Sequence, residues 1–217
     1  MWRKKFLVVF LILFFPSIAY LLLHTGKNNF RHLQIYGPKE VTVQGDTLYH
    51  TVPSFRFTDQ SGRPVTDQSL EGKIYVASFF FATCPDICPK MNNQVKRAAD
   101  KYKDNKDVAF LSFTVNPDAD SVAVLADYAR KLGAENYHWS FLTGNKDSIY
   151  RLAGEGYLVY AAKGKGEKDF FHSQDLLLID KEKRIRGIYD GVETRDVDTL
   201  IDEIAVLLYE YKEKENK

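Results

Sequence analysis

The sequence contains little sulfur, with two cysteines and two methionines among its 217 residues. Two cysteines cannot form a framework of several disulfides, but a close pair is typical of a redox dithiol or a metal site. The two methionines, Met1 and Met91, are too few for a copper carrier that binds its metal through several thioethers. The net charge is +1 and no basic stripe dominates, so nothing indicates a nucleic-acid partner.

The first residues are typical of a membrane anchor. Three basic residues precede an apolar stretch from Phe6 to Leu23, and at ~1.5 Å per residue its helix would just span a ~30 Å hydrocarbon core. Positive charges in front keep the N-terminus cytoplasmic. A cleaved signal peptide is the alternative, but no small-x-small site follows Leu23. We therefore expect a single-pass, N-terminal transmembrane helix in the cytoplasmic membrane within residues 1–24, with the remainder outside the cytoplasm, periplasmic in a Gram-negative bacterium.

After a linker over residues 25–46, residues 47–217 suit one domain of ordinary size. The apolar run at 73–81 predicts a central strand that is covered on both faces. Its neighbours alternate between strand and helix patterns, which predicts an α/β fold with a central mixed sheet flanked by helices. The expected strands are 52–58, 73–81, 108–115, 139–142, 175–180 and 184–189, and the expected helices are 90–104, 119–132, 147–152 and 197–211.

Both cysteines lie where the predicted central strand gives way to a helix, in the segment Cys84-Pro85-Asp86-Ile87-Cys88-Pro89. Proline favours the first helical position, so Pro89 predicts that Cys88 is the N-cap and that the helix dipole lowers the pKa of its thiol. Helical residues four apart approach to roughly 5–6 Å at Cβ. The two sulfurs could thus bind one metal ion, with Cu(I) favoured and zinc possible, or close a disulfide.

A third metal ligand must come from elsewhere in the chain. His24 and His32 adjoin the anchor, His50 precedes the first strand of the domain, and His138 begins a short strand. His172 leads into the predicted strand at 175–180. From its position alone, His172 could be a metal ligand, or it could be a histidine that caps an element or packs in the core.

The sequence resembles the Sco/SenC family of copper-binding assembly factors for cytochrome c oxidase. The resemblance covers roughly residues 53–208. It rests on the runs Gly72-Lys73-Ile74-Tyr75-Val76, Phe79-Phe80-Phe81, Thr83-Cys84-Pro85-Asp86-Ile87-Cys88-Pro89-Lys90-Met91, His172-Ser173 and Leu178-Ile179-Asp180.

The resemblance implies a thioredoxin-like fold that binds one copper ion, as Cu(I) and/or Cu(II), through Cys84, Cys88 and His172. It also implies that copper is delivered to the binuclear copper site of an oxidase subunit, whose cysteines the protein could also reduce. Many family members carry Asp-Pro where this chain has Asn116-Pro117. A carboxylate role at that point is lost, or passes to Asp118 or Asp120.

Two rival functions share the predicted fold. A membrane-anchored thiol–disulfide oxidoreductase of thioredoxin type usually has two residues between its cysteines and relies on a cis-proline facing them. Here three residues separate the cysteines, and no proline follows Pro117. A peroxiredoxin would need a threonine three residues before the reactive cysteine, where this chain has Phe81. The sequence favours copper delivery and leaves a thiol–disulfide reductase activity open.

Overall fold

A computed structural model of the protein describes residues 5, 10, 14–18, 20, 32–159 and 174–215. The chain divides into two compact units, residues 1–31 and 32–217. In the first unit the described residues are helical. In the described part of the chain, no helix combines the length and the apolar character that a membrane crossing requires.

The second unit contains nine strands and four α-helices in its described residues. The strands are β1 (Lys39–Val41), β2 (Thr47–Tyr49), β3 (Arg56–Thr58), β4 (Pro64–Thr66), β5 (Ile74–Phe80), β6 (Val108–Thr114), β7 (Trp139–Leu142), β8 (Asp175–Ile179) and β9 (Ile185–Asp190). The helices are α1 (Ile87–Lys101), α2 (Val122–Leu132), α3 (Lys146–Arg151) and α4 (Thr194–Glu215). A 3₁₀ turn at Asp67–Leu70 and a π turn at Leu152–Gly156 complete the elements.

The central sheet has five strands in the order β7-β6-β5-β8-β9. β5 pairs in parallel with β6, and β6 pairs in parallel with β7, whereas β8 and β9 are antiparallel to their neighbours. All seven residues of β5 and of β6 are buried, as their continuous apolar runs predict for strands with helices or loops on both faces. The predicted mixed sheet is confirmed, with the strand that leads into the cysteines at its centre.

Aromatic side chains fill both faces of the sheet around this central pair. On one face, Phe79 stacks on Phe113 with a centroid separation of 5.4 Å, and Tyr157 packs edge-on against Phe79. On the other face, Phe80 contacts Phe141 and Tyr128, the latter from α2. Alternate residues of a strand point to opposite faces, so the consecutive residues Phe79 and Phe80 serve both layers. This packing fixes the end of β5, from which the cysteine segment leaves the sheet.

Helix boundaries follow local sequence signals where a cap is present. α2 begins after Ser121, whose side chain accepts a hydrogen bond from the Val124 N–H, and ends at Gly133 with φ +70°. Glycine adopts this left-handed conformation without the steric cost that a Cβ adds. The predicted end of this helix at residue 132 is therefore confirmed, whereas it begins at Val122 and not at residue 119. β1 and β2 form an exposed hairpin, of which β1 lies within the stretch expected to be a linker and β2 begins the expected domain.

Candidate metal centre

Cys84 and Cys88 lie on the turn that joins β5 to α1, at the carboxyl end of the central strand. The Cys84 N–H donates to the Phe81 carbonyl oxygen at 3.2 Å, which closes the turn after the strand. The Cys88 N–H donates to the Cys84 Sγ at 3.4 Å. The two thiols also hydrogen-bond to each other. The turn thus brings the start of α1 against the Cys84 sulfur, and both thiols are free.

The two thiols differ in acidity. Burial raises the pKa of Cys84, but hydrogen bonds from the Cys88 thiol and from the backbone of Cys88, Asp86 and Ile87 outweigh it, and the net pKa is lowered. Burial raises the pKa of Cys88 to about 12, and its hydrogen bond to Cys84 adds to the rise. The thiolate that binds metals or attacks disulfides is therefore favoured at Cys84.

This result corrects the prediction for Cys88. α1 begins at Ile87 with Asp86 at the N-cap, so Cys88 is the second helical residue and Pro89 the third. Proline is tolerated there because the first N–H groups of a helix have no intrahelical partner. The Asp86 side chain makes no capping hydrogen bond and pairs with Lys90 Nζ at 2.7 Å. The Cys84 Sγ instead accepts a hydrogen bond from the Cys88 N–H, which belongs to the first turn and has no intrahelical partner. The helix N-terminus therefore lowers the pKa of Cys84 and not of Cys88.

Behind Cys88 lies a buried polar group that the sequence reasoning missed. Asn92 follows Cys88 by four residues, is fully buried, and donates through Nδ2 to the Tyr128 hydroxyl at 2.7 Å. Burial raises the pKa of Tyr128 to about 12, and charge on Cys88, Cys84 and Asp120 adds to the rise. The i, i+4 spacing could have indicated Asn92, but only the packing of α2 reveals Tyr128.

Asp118 and Asp120 are the two residues to which the carboxylate role of the missing Asp-Pro could pass, and of these two Asp120 lies beside the cysteine segment. Asp118 is exposed and pairs with Lys146 Nζ at 3.2 Å. Asp120 is fully buried, and its Oδ2 accepts a hydrogen bond from the Ala82 N–H at 3.0 Å, two residues before Cys84. Asp120 is therefore the carboxylate at the base of the cysteine segment.

The third predicted ligand, His172, lies outside the described residues. Of the other histidines, His50 Nε2 hydrogen-bonds with the Gly156 carbonyl oxygen at 2.8 Å, His32 lies 3.5 Å from Glu210, and His138 is exposed. Over residues 32–159 and 174–215, no three His, Cys, Asp or Glu side chains converge in a way that could hold a metal ion. The described part of the candidate centre is the Cys84–Cys88 pair.

A cavity of about 620 Å³ lies away from the cysteines, between the β3–β4 hairpin, the β6 and β7 strands, and the segment that follows α2. Its carboxylate Asp59 is already paired with Arg63 at 3.0 Å. The cysteines are not among its walls. This cavity is therefore separate from the candidate centre.

Comparisons with known proteins agree with the fold. The family model described as SCO1/SenC matches residues 44–208. A curated relative, the SCO1 protein homolog of Bacillus subtilis, is 31% identical over 161 residues, which cover 73% of this chain and 83% of the relative.

Solved structures show the same likeness. A crystal structure of a SCO1/SenC family lipoprotein from Bacillus anthracis has a TM-score of 0.67 at 27% identity and covers 73% of this chain and 95% of its own. BsSco, described as a member of the Sco family of cytochrome c oxidase assembly proteins with a disulfide switch, has a TM-score of 0.64 at 30% identity and covers 80% and 97%. The copper-bound ScoI of Arabidopsis thaliana has a TM-score of 0.61 at 29% identity and covers 74% and 99%. The family match spans most of the chain and includes both cysteines, and this protein belongs to the SCO1/SenC family.

Proposed function

We propose that this protein carries one copper ion and delivers it to the binuclear copper site of cytochrome c oxidase during assembly of the oxidase. The observation that carries the proposal is the hydrogen-bonded dithiol on the β5–α1 turn, in which Cys84 favours the thiolate. Two thiolate ligands suit Cu(I), and a nitrogen ligand in addition suits Cu(II) as well. Relatives described as copper-bound or as oxidase assembly proteins support the same function.

His172 is the proposed third ligand. Gln174, where the described chain resumes, accepts a hydrogen bond from the Gly191 N–H at 2.8 Å. Gly191 also lies against Met91 of α1, because a Cβ there would be 2.8 Å from the Met91 Cγ. Met91 follows Cys88 by three residues. Gln174, which follows His172 by two residues in the sequence, is therefore held close to the first turns of α1.

Copper binding tests the ligand set directly. The reduced, purified full chain is titrated with copper without oxygen, and thiolate charge-transfer absorbance is recorded. We expect saturation at one copper per chain, near loss of binding in Cys84→Ser, and strong weakening in His172→Ala. His138→Ala is the matched control, because His138 is exposed. Unchanged binding in the His172 variant would reject that ligand.

The second candidate function is thiol–disulfide exchange, favoured by the unequal acidity of the two thiols. The two functions are linked, because only the reduced pair can bind the metal. A deletion strain separates them through its oxidase activity. Recovery with added copper supports delivery, whereas recovery with a thiol reductant but not with copper supports reduction as the main task.

We propose that residues 1–24 anchor the protein in the cytoplasmic membrane, with residues 25–46 as a linker and 47–217 as the copper-binding domain outside the cytoplasm. The support is the apolar stretch from Phe6 to Leu23 behind Arg3, Lys4 and Lys5. A reporter enzyme that is active only outside the cytoplasm, fused after Lys217, should be active. Recovery of the fusion in the soluble fraction after an alkaline carbonate wash would reject the anchor.

A further inference from the structure

The start of α2 lies next to the start of α1, at the end of the sheet that carries the cysteine turn. Because β5, β6 and β7 pair in parallel, both connecting helices begin at the carboxyl ends of these strands. The two helices contact each other where Asn92 of α1 donates to the hydroxyl of Tyr128 of α2. Cys88 lies one helical turn before Asn92, on the same face of α1. Val124 likewise lies one turn before Tyr128 on the same face of α2, so Val124 is on the side of α2 that faces the first turn of α1.

Val124 is exposed, which is unusual for an apolar side chain of this domain. In the described residues from 50 onward, only two large apolar side chains are exposed, Val124 at 38% and Ile188 at 46%. Ile188 lies on β9, at the opposite edge of the sheet from β7. The other exposed large apolar residues of the domain lie at 36–49, on and before the β1–β2 hairpin. Four smaller apolar residues in the cysteine turn and at the start of α2 are exposed as well, and together with Val124 they form what we call the apolar rim: Pro85, Pro89, Ala119 and Ala123.

The exposed charges of the two segments that form the rim are already paired. Asp86 pairs with Lys90 at 2.7 Å, and Asp118 pairs with Lys146 of α3 at 3.2 Å. The remaining charged residue of these segments, Asp120, is buried. The formal net charge of the whole chain is only +1. Long-range attraction therefore contributes little to an encounter at the rim, and the contribution that remains is the removal of apolar surface from water.

We propose that the apolar rim is the docking surface for the copper-binding domain of the recipient oxidase subunit, and that docking depends on apolar contact with Val124 and not on charge. The inference rests on the proposed copper function. Cys84 is only 9% exposed, so a recipient that takes copper from it has to contact the residues that surround the cysteine turn. An exposed apolar patch in that position is typical of a protein–protein contact.

The step at this surface is an exchange of ligands. Copper passes as Cu(I), and each of its bonds to a thiolate of this protein is replaced by a bond to a thiolate of the recipient. The protons of the recipient thiols pass to the cysteines that copper leaves, and no electron is transferred.

Substitution of Val124 changes the rim without loss of the helix. Val124 is the third residue of α2, and its N–H donates to the side chain of the N-cap Ser121. Val124→Glu would complete a capping box there and place an acidic residue in the first turn, so the variant should fold. Val124→Gln also allows the capping box but carries no charge. Ile188→Glu is the matched control, because it adds the same charge at the other exposed apolar residue.

The test measures the rate of copper transfer. The purified full chain is loaded with Cu(I) without oxygen and mixed with the reduced, soluble copper-binding domain of the oxidase subunit, and the copper in each protein is measured after rapid separation. We expect the second-order rate constant to fall about tenfold or more in Val124→Glu and about threefold or more in Val124→Gln, and to be unchanged in Ile188→Glu. Raising the ionic strength from ~0.01 M to ~0.15 M should change the rate of the unaltered protein by less than about twofold. The Cu(I) affinity of each variant, from competition with a chromogenic chelator, should equal that of the unaltered protein.

Slower transfer in both Val124 variants at unchanged Cu(I) affinity supports the inference. Four results overturn it and leave the copper function intact: unaltered transfer, a loss in the Glu variant alone, an equal loss in Ile188→Glu, or a strong dependence of the rate on salt. A change in Cu(I) affinity that accounts for the slower transfer overturns it as well. If the unaltered protein binds Cu(I) but passes none to the oxidase domain, the proposed delivery fails, and the inference fails with it.

Discussion

Because the two thiols differ in pKa, we predict that limited alkylation modifies Cys84 in preference to Cys88. At pH 8, a thiol with the ordinary pKa of about 8.5 is roughly one quarter ionised. A thiol with a pKa of about 12, as at Cys88, is ionised in about one molecule in ten thousand. The ratio of thiolate populations is therefore at least ~10³ in favour of Cys84, because its pKa lies below the ordinary value.

Part of this advantage is lost, because the nucleophilicity of a thiolate falls as its pKa falls. With a Brønsted slope of about 0.4–0.5, each unit of pKa difference lowers the reactivity of the thiolate by only about threefold. The larger thiolate population at Cys84 therefore outweighs this loss, and we expect roughly tenfold more label on Cys84 than on Cys88. Burial acts in the same direction, since Cys84 is 9% exposed and Cys88 is 3% exposed.

The assay treats the reduced, metal-free protein with less than one equivalent of iodoacetamide at pH 8. Both cysteines fall in one tryptic peptide, so fragmentation between them in the mass spectrometer locates the label. The same reaction in guanidinium chloride is the control and should label both cysteines comparably. Equal labelling in the folded protein, or a preference for Cys88, would refute the assignment of Cys84 as the thiolate.

Two further predictions concern stability. The hydrogen bond from Lys183 Nζ to Asp67, at 2.6 Å, lowers the pKa of Asp67, so the pair stabilises the fold above the unfolded pKa of about 3.9, and this contribution is lost as pH falls through the lowered folded pKa. Lys183→Met should therefore lower the urea midpoint at pH 7, with a difference from the unaltered protein that shrinks below pH 4; a difference independent of pH would contradict this. Arg186→Met should lower the free energy of unfolding by about 3–5 kcal/mol, because the buried guanidinium bridges Asp180 and Glu210. Arg97→Met, which removes an exposed pair, should cost less than about 1 kcal/mol by the same denaturant titration, and similar losses in the two variants would contradict the argument.

The accuracy of the sequence predictions followed the range of the interactions involved. β7 spans residues 139–142 as expected, and β8 and β9 form the expected hairpin, because strand patterns and turns are local. α1 begins at Ile87, before its expected start at residue 90. Pro89 and the helix-forming residues after it did not indicate this earlier start. The first helical turn is instead stabilised by a hydrogen bond from the Cys88 N–H to the Cys84 Sγ on the preceding turn.

The sequence alone determined that two cysteines, four residues apart, leave a central strand and enter a helix, because burial of apolar runs and proline-bounded turns are local consequences of residue type. Only the tertiary structure decided which of the two thiols has the lower pKa and which carboxylate lies beside the cysteine segment. Cys88 is the deeper of the two thiols, whereas Cys84 receives the N–H of the first helical turn. Asp120 meets Ala82 across 38 residues of chain because parallel pairing of β5 and β6 brings their carboxyl ends to one edge. Acidity depends on burial and on neighbouring dipoles and charges, and these come from segments that are distant in the sequence.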